Sequence, residues 1–478
     1  MNKSTPCYIV SLDTGTSSCR AGAVDEQGRL VYIHKTDLMP VRVQAGRSEY
    51  NADILLETQL NTLHKVLDTV GADKVKALAI SSQRSTVVLW NKNTGQALAP
   101  VFTWEDGRAV TEAAQAPISQ ERIHFLTGLY KIPFFSAPKI TWCLQHLPQV
   151  QQAQQTDTLY AAPVASHLIF HLTKGKIFAT DPTLAQRMLL LDIHTGTWSE
   201  EICRAFGISK AILPQLLSSV DDYGSYCYNG VEIPIRVCTG DQQAASFALQ
   251  EGQTRVNYGT GAFLLHHTGS RCVLYPGTLT SLTSSVKGSP SQFLLEGTVN
   301  AAASSFEWLK TQGVTVVPEK MDTLCEASEN PLQILLAFGG LGSPYFDYNI
   351  SPVVKGLSPH TTPADWVAGV CRGIAFLVAD IVYYLRQNKH LLKDIFVSGG
   401  LANSAYLMQF QADILQTSLI RRQETEGTLL GLSALARQAT TTKTEQGIFT
   451  PGISPEQANA LYQQWQLFVA RHLHSVRS

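Results

Sequence analysis

The sequence predicts an α/β protein built as two lobes. Three observations carry that reading. Strand-like runs and helical periodicities alternate along the chain, the pattern of mixed α/β architecture. Each half holds an apolar run that ends in glycine and small hydroxyl residues. These are Leu12-Asp-Thr-Gly-Thr16 in the first half and Asn257-Tyr-Gly-Thr-Gly261 in the second. Finally, 478 residues are too many for one domain; at ~100–200 residues per domain they suggest two to four.

The elements follow in order. Cys7-Tyr-Ile-Val-Ser-Leu12 reads as a strand, Asp13 to Ser18 as a turn, Arg20 to Val24 as a second strand. Asp25-Glu-Gln-Gly28 turns the chain into a third strand, Arg29 to His34, so the start reads as a β-meander. Leu55, Leu56, Leu60, Leu63 and Val66 share one face of a helix over Ala52 to Val70. Val75 to Ser81 is strand-like, and Val87 to Trp90 and Pro100 to Thr103 flank the turn Asn91 to Gly95. The middle, about Arg122 to Val220, reads as mostly helical, an insertion or cap. A second strand-rich block opens at Ile233 to Cys238 and continues through Thr254 to His267. Thr362 as N-cap and Pro363 in the first turn open a helix running to about Gln387. Asp394 to Ser398 is a strand closed by Gly399-Gly400, followed by a helix over Ala405 to Gln416. These elements divide into a first lobe over 5–246, a second over 247–440 and a helical tail over 441–478.

Composition limits the function. The chain is 44% hydrophobic and 16% charged, with 37 basic against 38 acidic residues and a net charge of −1. That near-neutrality argues against nucleic acid or a membrane surface as a partner, but not against a small anionic ligand. The segment Met1 to Pro6 is polar and the apolar run behind it is short, so no secretory leader is expected. The longest apolar run, Gly373 to Leu385, is interrupted by Asp380, so no membrane span is expected. The nine cysteines are scattered and form no CxxC pair. Reduced thiols in a cytoplasmic protein fit that usage, and a zinc site does not.

The two glycine–hydroxyl loops carry the first functional signal. Glycine lets backbone N–H groups approach an anion closely. Two such loops in two halves suggest two lobes facing one phosphate chain. Asp13 offers a carboxylate for a metal beside those donors; the structural alternative is a tight hairpin without a ligand. An Asp-Thr-Gly run also resembles an aspartic protease site, but that chemistry needs two carboxylates sharing a proton. The motif occurs once here, and the helix content does not suit such a protein. Asp241, after a strand and Gly240, can accept a proton from an attacking hydroxyl or cap a helix beginning at Gln242. Gln83-Arg84 and Trp104-Glu-Asp-Gly-Arg108 combine a ring with hydrogen-bonding groups, as sugar and polyol sites do. Core packing of Trp104 and a surface ion pair for Arg84 and Asp106 are the plain alternatives. Phe338 to Phe346 is glycine-rich, and Gly399-Gly400 precedes a helix whose start can face a nucleotide.

Taken together, these motifs resemble the FGGY carbohydrate kinase family, from about Tyr8 to Ala436. The run comprises Leu12-Asp-Thr-Gly-Thr-Ser-Ser18, Ser82-Gln-Arg84, Gly240-Asp-Gln-Gln243, Tyr258-Gly-Thr-Gly261, Gly340 to Tyr345 and Gly399-Gly400. Gly240 to Ala245 and Leu407 to Ile414 look most like its glycerol kinase branch. The resemblance implies two actin-like (ribonuclease H-like) lobes around a deep catalytic cleft. It implies transfer of the γ-phosphate of ATP, with Mg²⁺, to a hydroxyl of a small polyol or sugar. By motif, Asp13 would hold the metal, and Thr16, Ser17, Ser18 and Arg20 would lie near the phosphates. Asp241 would be the general base. Gln242, Arg84, Trp104, Asp106 and Phe263 would line the substrate. Thr260 and Gly261 would contact ATP phosphates, with Ala303, Glu307, Gly400 and Asn403 on the adenine side. Dimers are common in that family. Two substrate positions depart from the glycerol kinase pattern: Ser85 replaces a Glu, and Phe134 replaces a Tyr. Trp104-Glu-Asp-Gly-Arg108 looks more like the ketose kinases, which keeps a xylulose- or ribulose-type substrate open. A catalytically inactive nucleotide-binding sensor is the alternative of another class; the presence of both Asp13 and Asp241 speaks against it.

Overall fold

The computed structural model describes residues 7–44, 46–392, 394–422, 426–439 and 445–473. A six-stranded sheet is formed by β1 (Tyr8–Thr14), β2 (Ser18–Val24), β3 (Leu30–Asp37), β4 (Val75–Ser82), β5 (Ser225–Tyr228) and β6 (Val231–Gly240). Their order is β5-β6-β4-β1-β2-β3. Strands β1 to β3 pair antiparallel, and β4 lies parallel to both β1 and β6. The second sheet has seven strands: β7 (Thr254–Tyr258), β8 (Ala262–Gly269), β9 (Leu279–Leu282), β10 (Phe293–Val299), β11 (Ile395–Ser398), β12 (Leu419–Arg422) and β13 (Glu445–Phe449). Their order is β9-β10-β8-β7-β11-β12-β13. Here β7 pairs β8 antiparallel and β11 parallel, and β11 pairs β12 parallel. The two sheets thus repeat one connectivity, an antiparallel meander whose first strand borders two further parallel strands. This is the ribonuclease H-like, two-lobed arrangement expected from the sequence.

Helices cover these sheets for reasons visible in their periodicity. In α1 (Ala52–Val70), Leu55, Leu63, Val66 and Leu67 are buried, and the Asn51 side chain caps the first turn. Further helices are α2 (Asp241–Ser246), α3 (Ser304–Thr311), α4 (Pro363–Gln387), α5 (Ala405–Leu415), α6 (Gly427–Arg437) and α7 (Pro455–Ala470). Thr362 and Asp365 form a capping box at the start of α4, which satisfies two otherwise unbonded N–H groups. This helix is long and apolar enough to cross a bilayer, yet 83% of its most apolar window is buried within the second lobe. It is a core helix. Burying each Val, Leu or Ile on it stabilises the lobe by about 1.5–3 kcal/mol as an upper estimate.

Four features differ from the sequence reading. The strand-rich block from Ile233 to His267 divides between the sheets: Ile233 to Cys238 is part of β6 beside β4, within the expected first lobe, and Thr254 to His267 joins the second. The middle region is no separable cap, because Leu159–Pro163 is a strand paired with Val87–Asn91 in a five-stranded sheet of the first lobe. The expected tail is part of the second lobe. β13 edges its sheet, and Tyr462, Trp465, Phe468 and Val469 of α7 share the core of α4 and α5; residues 440–444 and 474–478 lie outside the described segments. Helix α6 falls within the second-lobe span of the sequence but packs on the first sheet. Leu432 and Leu435 meet Ile9, Ala77, Ala79, Val237 and Ala244, and Ser11 Oγ donates to the Leu429 carbonyl at 2.8 Å.

Candidate active site

Two carboxylates leave the same end of the first sheet. In register, Asp13 of β1 and Thr239 of β6 both pair with Ser81 of β4, so Asp13 and Asp241 stand on either side of β4. Asp13 is 2% exposed. Ser81 Oγ donates to its Oδ1 at 2.7 Å, and Arg20 Nη2 lies 3.6 Å from Oδ2. Burial and then the charge of Asp241 push the Asp13 carboxyl up to about 7, against Arg20 and the Ser81 hydroxyl. Arg20 is itself held by Glu426 at 3.0 Å. Asp241 opens α2 with Gly240 as N-cap; the helix therefore starts one residue earlier than expected, and Asp241 is not its cap. The Asp241 Oδ1 accepts from Gln242 N at 2.7 Å and lies 3.9 Å from Arg84 Nε. Enclosure raises its pKa as well, with Arg84 opposing. A carboxylate so raised, with 29% of its side chain exposed, can take a proton from a bound hydroxyl.

The loop after β1 is braced by Gln83. Its Nε2 donates to the Gly15 carbonyl at 3.2 Å and to Tyr50 Oη at 3.1 Å, and Tyr50 Oη donates to the Thr16 carbonyl at 2.6 Å. The Thr16 hydroxyl accepts from the indole of Trp104 at 2.8 Å, which ties the expected phosphate loop to the expected substrate aromatic. Ser17 is exposed, whereas Ser18 is buried and its carbonyl accepts from Gly15 N. Trp104 and Phe134 are among the exposed large apolar side chains, at 42% and 39%, and the Phe134 ring lies near Gly107. Asp106 departs from the expectation. It is fully buried, and its oxygens accept from Ser48 N and from Arg108 N, Nε and Nη2. With both oxygens taken inside the fold, it braces the Trp104 loop rather than offering a carboxylate to a hydroxyl. Ser85 is half-buried with φ of +64°. Its carbonyl accepts from Lys139 Nζ and Ser136 Oγ, both at 3.2 Å. Lys139 also donates to the Thr103 carbonyl at 2.5 Å, joining the Arg84 and Trp104 loops beneath the site. Burial pulls Lys139 down to about 7, against Asp106.

The second lobe brings two loops together because β7 and β11 are adjacent and parallel. Thr260 is exposed, and Gly261 lies tight against the Val299 carbonyl, where a side chain would not fit. The Gly259 carbonyl accepts from Ala303 N at 3.0 Å, and that of Thr260 from Ala302 N at 2.8 Å, so Ala303 borders this loop through its backbone. Gly399, at φ +95°, packs on the Tyr258 backbone; only glycine tolerates both conditions. Gly400 faces open space and Asn403 is exposed. The glycine-rich stretch from Phe338 also folds here, with Asn300 Nδ2 donating to the carbonyls of Gly339 and Gly340. Phe263 of β8 is half-buried. Glu307 of α3 is exposed and paired with Lys310 at 2.6 Å.

Sequence reading missed Glu296, Arg187, Ser81, Lys139 and Glu426. Arg84 Nη2 donates to Gln242 Oε1 at 2.6 Å and Nη1 to Glu296 Oε1 at 2.9 Å. A signal existed for Glu296: it is a lone charge inside the apolar strand Phe293–Val299, and such residues are rarely buried unless paired. No comparable signal marked Arg187 or Lys139.

The donors suit a hard divalent cation. Asp13 and Asp241 offer carboxylate oxygens, and the charge of Asp241 makes ionising Asp13 costly, a cost that a cation would relieve. Among the described residues no group of three or more His, Cys, Asp or Glu could hold a metal. The remaining ligands would be phosphate oxygens and water, the usual manner of Mg²⁺.

A two-lobed α/β fold with paired carboxylates and glycine loops from both lobes defines a class of phosphate-handling enzymes. Residues 8–248 match the N-terminal domain, and residues 255–440 the C-terminal domain, of the FGGY family of carbohydrate kinases. The chain belongs to that family and is a carbohydrate or polyol kinase. It is 32% identical to the glycerol kinase of Haemophilus influenzae (strain PittEE), over 98% of this chain and 97% of that protein. The crystal structure of Plasmodium falciparum glycerol kinase with ADP superimposes with a TM-score of 0.91 at 27% identity, covering 98% of this chain and 99% of that one. A ligand-bound xylulose kinase from Lactobacillus acidophilus shares the fold, with a TM-score of 0.85 at 20% identity over 97% of each chain.

Proposed function

We propose that this protein transfers the γ-phosphoryl group of ATP, with Mg²⁺, to a hydroxyl of a small polyol or sugar, with Asp241 as general base. The observation that carries it is the pair Asp13 and Asp241, set on either side of β4, with the charge of Asp241 raising the pKa of Asp13. Asp13 would hold Mg²⁺, which neutralises phosphate charge when bound. The Asp241 carboxylate receives the proton of the attacking hydroxyl. Phosphoryl transfer needs positioning and charge stabilisation more than covalent help. Thr16, Ser17, Ser18 and Arg20 serve the phosphates from the first lobe, Thr260 and Gly261 from the second. Gly400 and Asn403 border the adenine, with Ala303 and Glu307 on the same side.

On the acceptor side, Arg84 and Gln242 bond hydroxyls, while Trp104, Phe134 and Phe263 cover C–H surface. Ser85 and Phe134 lack the carboxylate and phenol of the glycerol kinase pattern. A site that loses two hydroxyl-bonding groups changes preference, so a longer polyol or a pentulose competes with glycerol as substrate. The nine scattered cysteines, none in a CxxC pair, suit a reducing, cytoplasmic setting.

The test is ATP-to-ADP turnover with Mg²⁺ against glycerol, erythritol, longer polyols, pentuloses and hexoses. Turnover above the no-acceptor rate with at least one compound is expected. ATP binding without turnover across the panel would overturn the reading in favour of a sensor.

A further inference from the structure

Glu296 stands on β10 of the second lobe, yet both of its oxygens bond side chains of the first. Oε1 accepts from Arg84 Nη1 at 2.9 Å, and Oε2 from Arg187 Nη2 at 2.6 Å. All three side chains are buried, at 3%, 10% and 6% exposure. Burial pushes the Glu296 carboxyl up, but Arg187 and Arg84 outweigh it and hold it at about 2. It is therefore ionised throughout the working pH range.

Each arginine continues the connection. The other end of Arg84 reaches Gln242 Oε1 at 2.6 Å and lies 3.9 Å from Asp241 Oδ1. Arg187 also donates to Ser281 Oγ on β9 at 2.6 Å. Beside it, Gln186 Nε2 donates to the Thr280 carbonyl at 2.6 Å and its Oε1 accepts from Leu282 N at 2.9 Å. The seam between the lobes is thus bonded on both sides of Glu296. The two arginines, Glu296 and Asp241 carry formal charges that cancel. Without the Glu296 charge, the two guanidinium groups would repel, and Arg84 would be drawn toward Asp241.

The geometry points to Glu296 as the positioning residue of Arg84. Its carboxylate, supplied by the second lobe, holds the guanidinium against Gln242 and beside Asp241. The acceptor end of the site is then complete only when the lobes are seated on each other. This inference rests on the reading of Arg84 as an acceptor ligand.

The experiment is a double-mutant cycle of Glu296→Gln and Arg84→Met, with kcat and both KM values measured for the best acceptor of the wild-type protein. Coupled residues give non-additive losses. Glu296→Gln is expected to raise the acceptor KM roughly tenfold, to leave the KM for ATP within about twofold, and to add less than about twofold in the Arg84→Met background. Additive losses, or equal losses on both substrates, would overturn the inference. If Glu296→Gln does not fold, Glu296→Asp replaces it, keeping the charge with one methylene less reach. Hydrogen exchange over residues 240–246 is measured in parallel and needs no turnover. Faster exchange there in the variant supports the positioning role, and unchanged exchange overturns it. If the wild-type protein turns over no acceptor, the kinase reading fails alone, and the exchange result decides this one.

Discussion

Gly431 of α6 lies so close to Ala244 of α2 that a Cβ built on it would overlap the Ala244 carbonyl oxygen. The two helices cross backbone to backbone, and α2 is the helix that begins at Asp241. The position of the candidate base therefore depends on a helix that arrives almost two hundred residues later in the chain. Gly431→Ala should gain up to about 1 kcal/mol of helix propensity but lose more through overpacking. A lower melting temperature and a kcat reduced at least about tenfold are expected. Unchanged kcat would mean that α6 does not set the place of Asp241.

Asp241→Asn keeps the shape of the side chain and removes its ability to take a proton. Turnover should fall by about 10³ or more, while ATP affinity by calorimetry stays within about threefold. Wild-type turnover in the variant would remove Asp241 from the chemistry.

Asp13→Asn tests the metal. Asp13 is buried, with Arg20 no nearer than 3.6 Å, so the metal-free protein holds it at a cost. Added Mg²⁺ with ATP should raise the melting temperature of the wild type. The variant should lose most of that shift and most of its activity, because a ligand at concentration L stabilises the native state by RT ln(1 + L/Kd), which vanishes once Kd far exceeds L. An equal shift in both proteins would place the cation elsewhere.

Ser85 and Phe134 test specificity. Phe134→Tyr should increase kcat/KM for glycerol relative to longer acceptors by a few-fold, since one hydroxyl bond is worth about 0.5–1.5 kcal/mol. Ser85→Glu should move the ratio the same way, because it restores a carboxylate to a backbone that already sits at φ +64° as a non-glycine residue. Competition assays with paired acceptors read the ratio directly. A ratio that does not move would show that neither position selects the substrate.

Asp380 gives a pH dependence of stability. It is buried in α4, accepting from Tyr462 Oη and Trp465 Nε1, each at 2.9 Å. Burial pushes it from 3.8 up to about 7, against those two donors. Between these values the native state keeps a proton that the unfolded state releases. Stability must therefore fall as pH rises from about 4 to about 7, by an amount on the order of a few kcal/mol. Asp380→Asn should flatten that slope in urea titrations at pH 5 and pH 7. An unaltered slope would assign it to other groups.

Much of the local structure was legible in the residues. The start of α4 followed from Thr362 and Pro363 because capping chemistry acts within one turn. The strand ends near Thr14 and at Tyr258 followed from glycine and hydroxyl residues that end strands locally. Where sequence reading failed, the cause was long-range. Asp106 looked like a ligand, but Ser48 N, 58 residues away, takes part of its carboxylate.

The sequence by itself determined the two-lobed α/β class, the glycine loops, and Asp13 and Asp241 as the carboxylates to watch. Each of these rests on periodicity or turn chemistry within a few residues, where backbone sterics and hydrogen bonding dominate. Only the tertiary structure decided that the two carboxylates flank β4, that α6 and α7 close back onto the lobes, and that Glu296 reaches Arg84 and Arg187 across 212 and 109 residues. Such contacts depend on strand order and on which charges burial forces to pair. Neither is encoded by the spacing of neighbours along the chain.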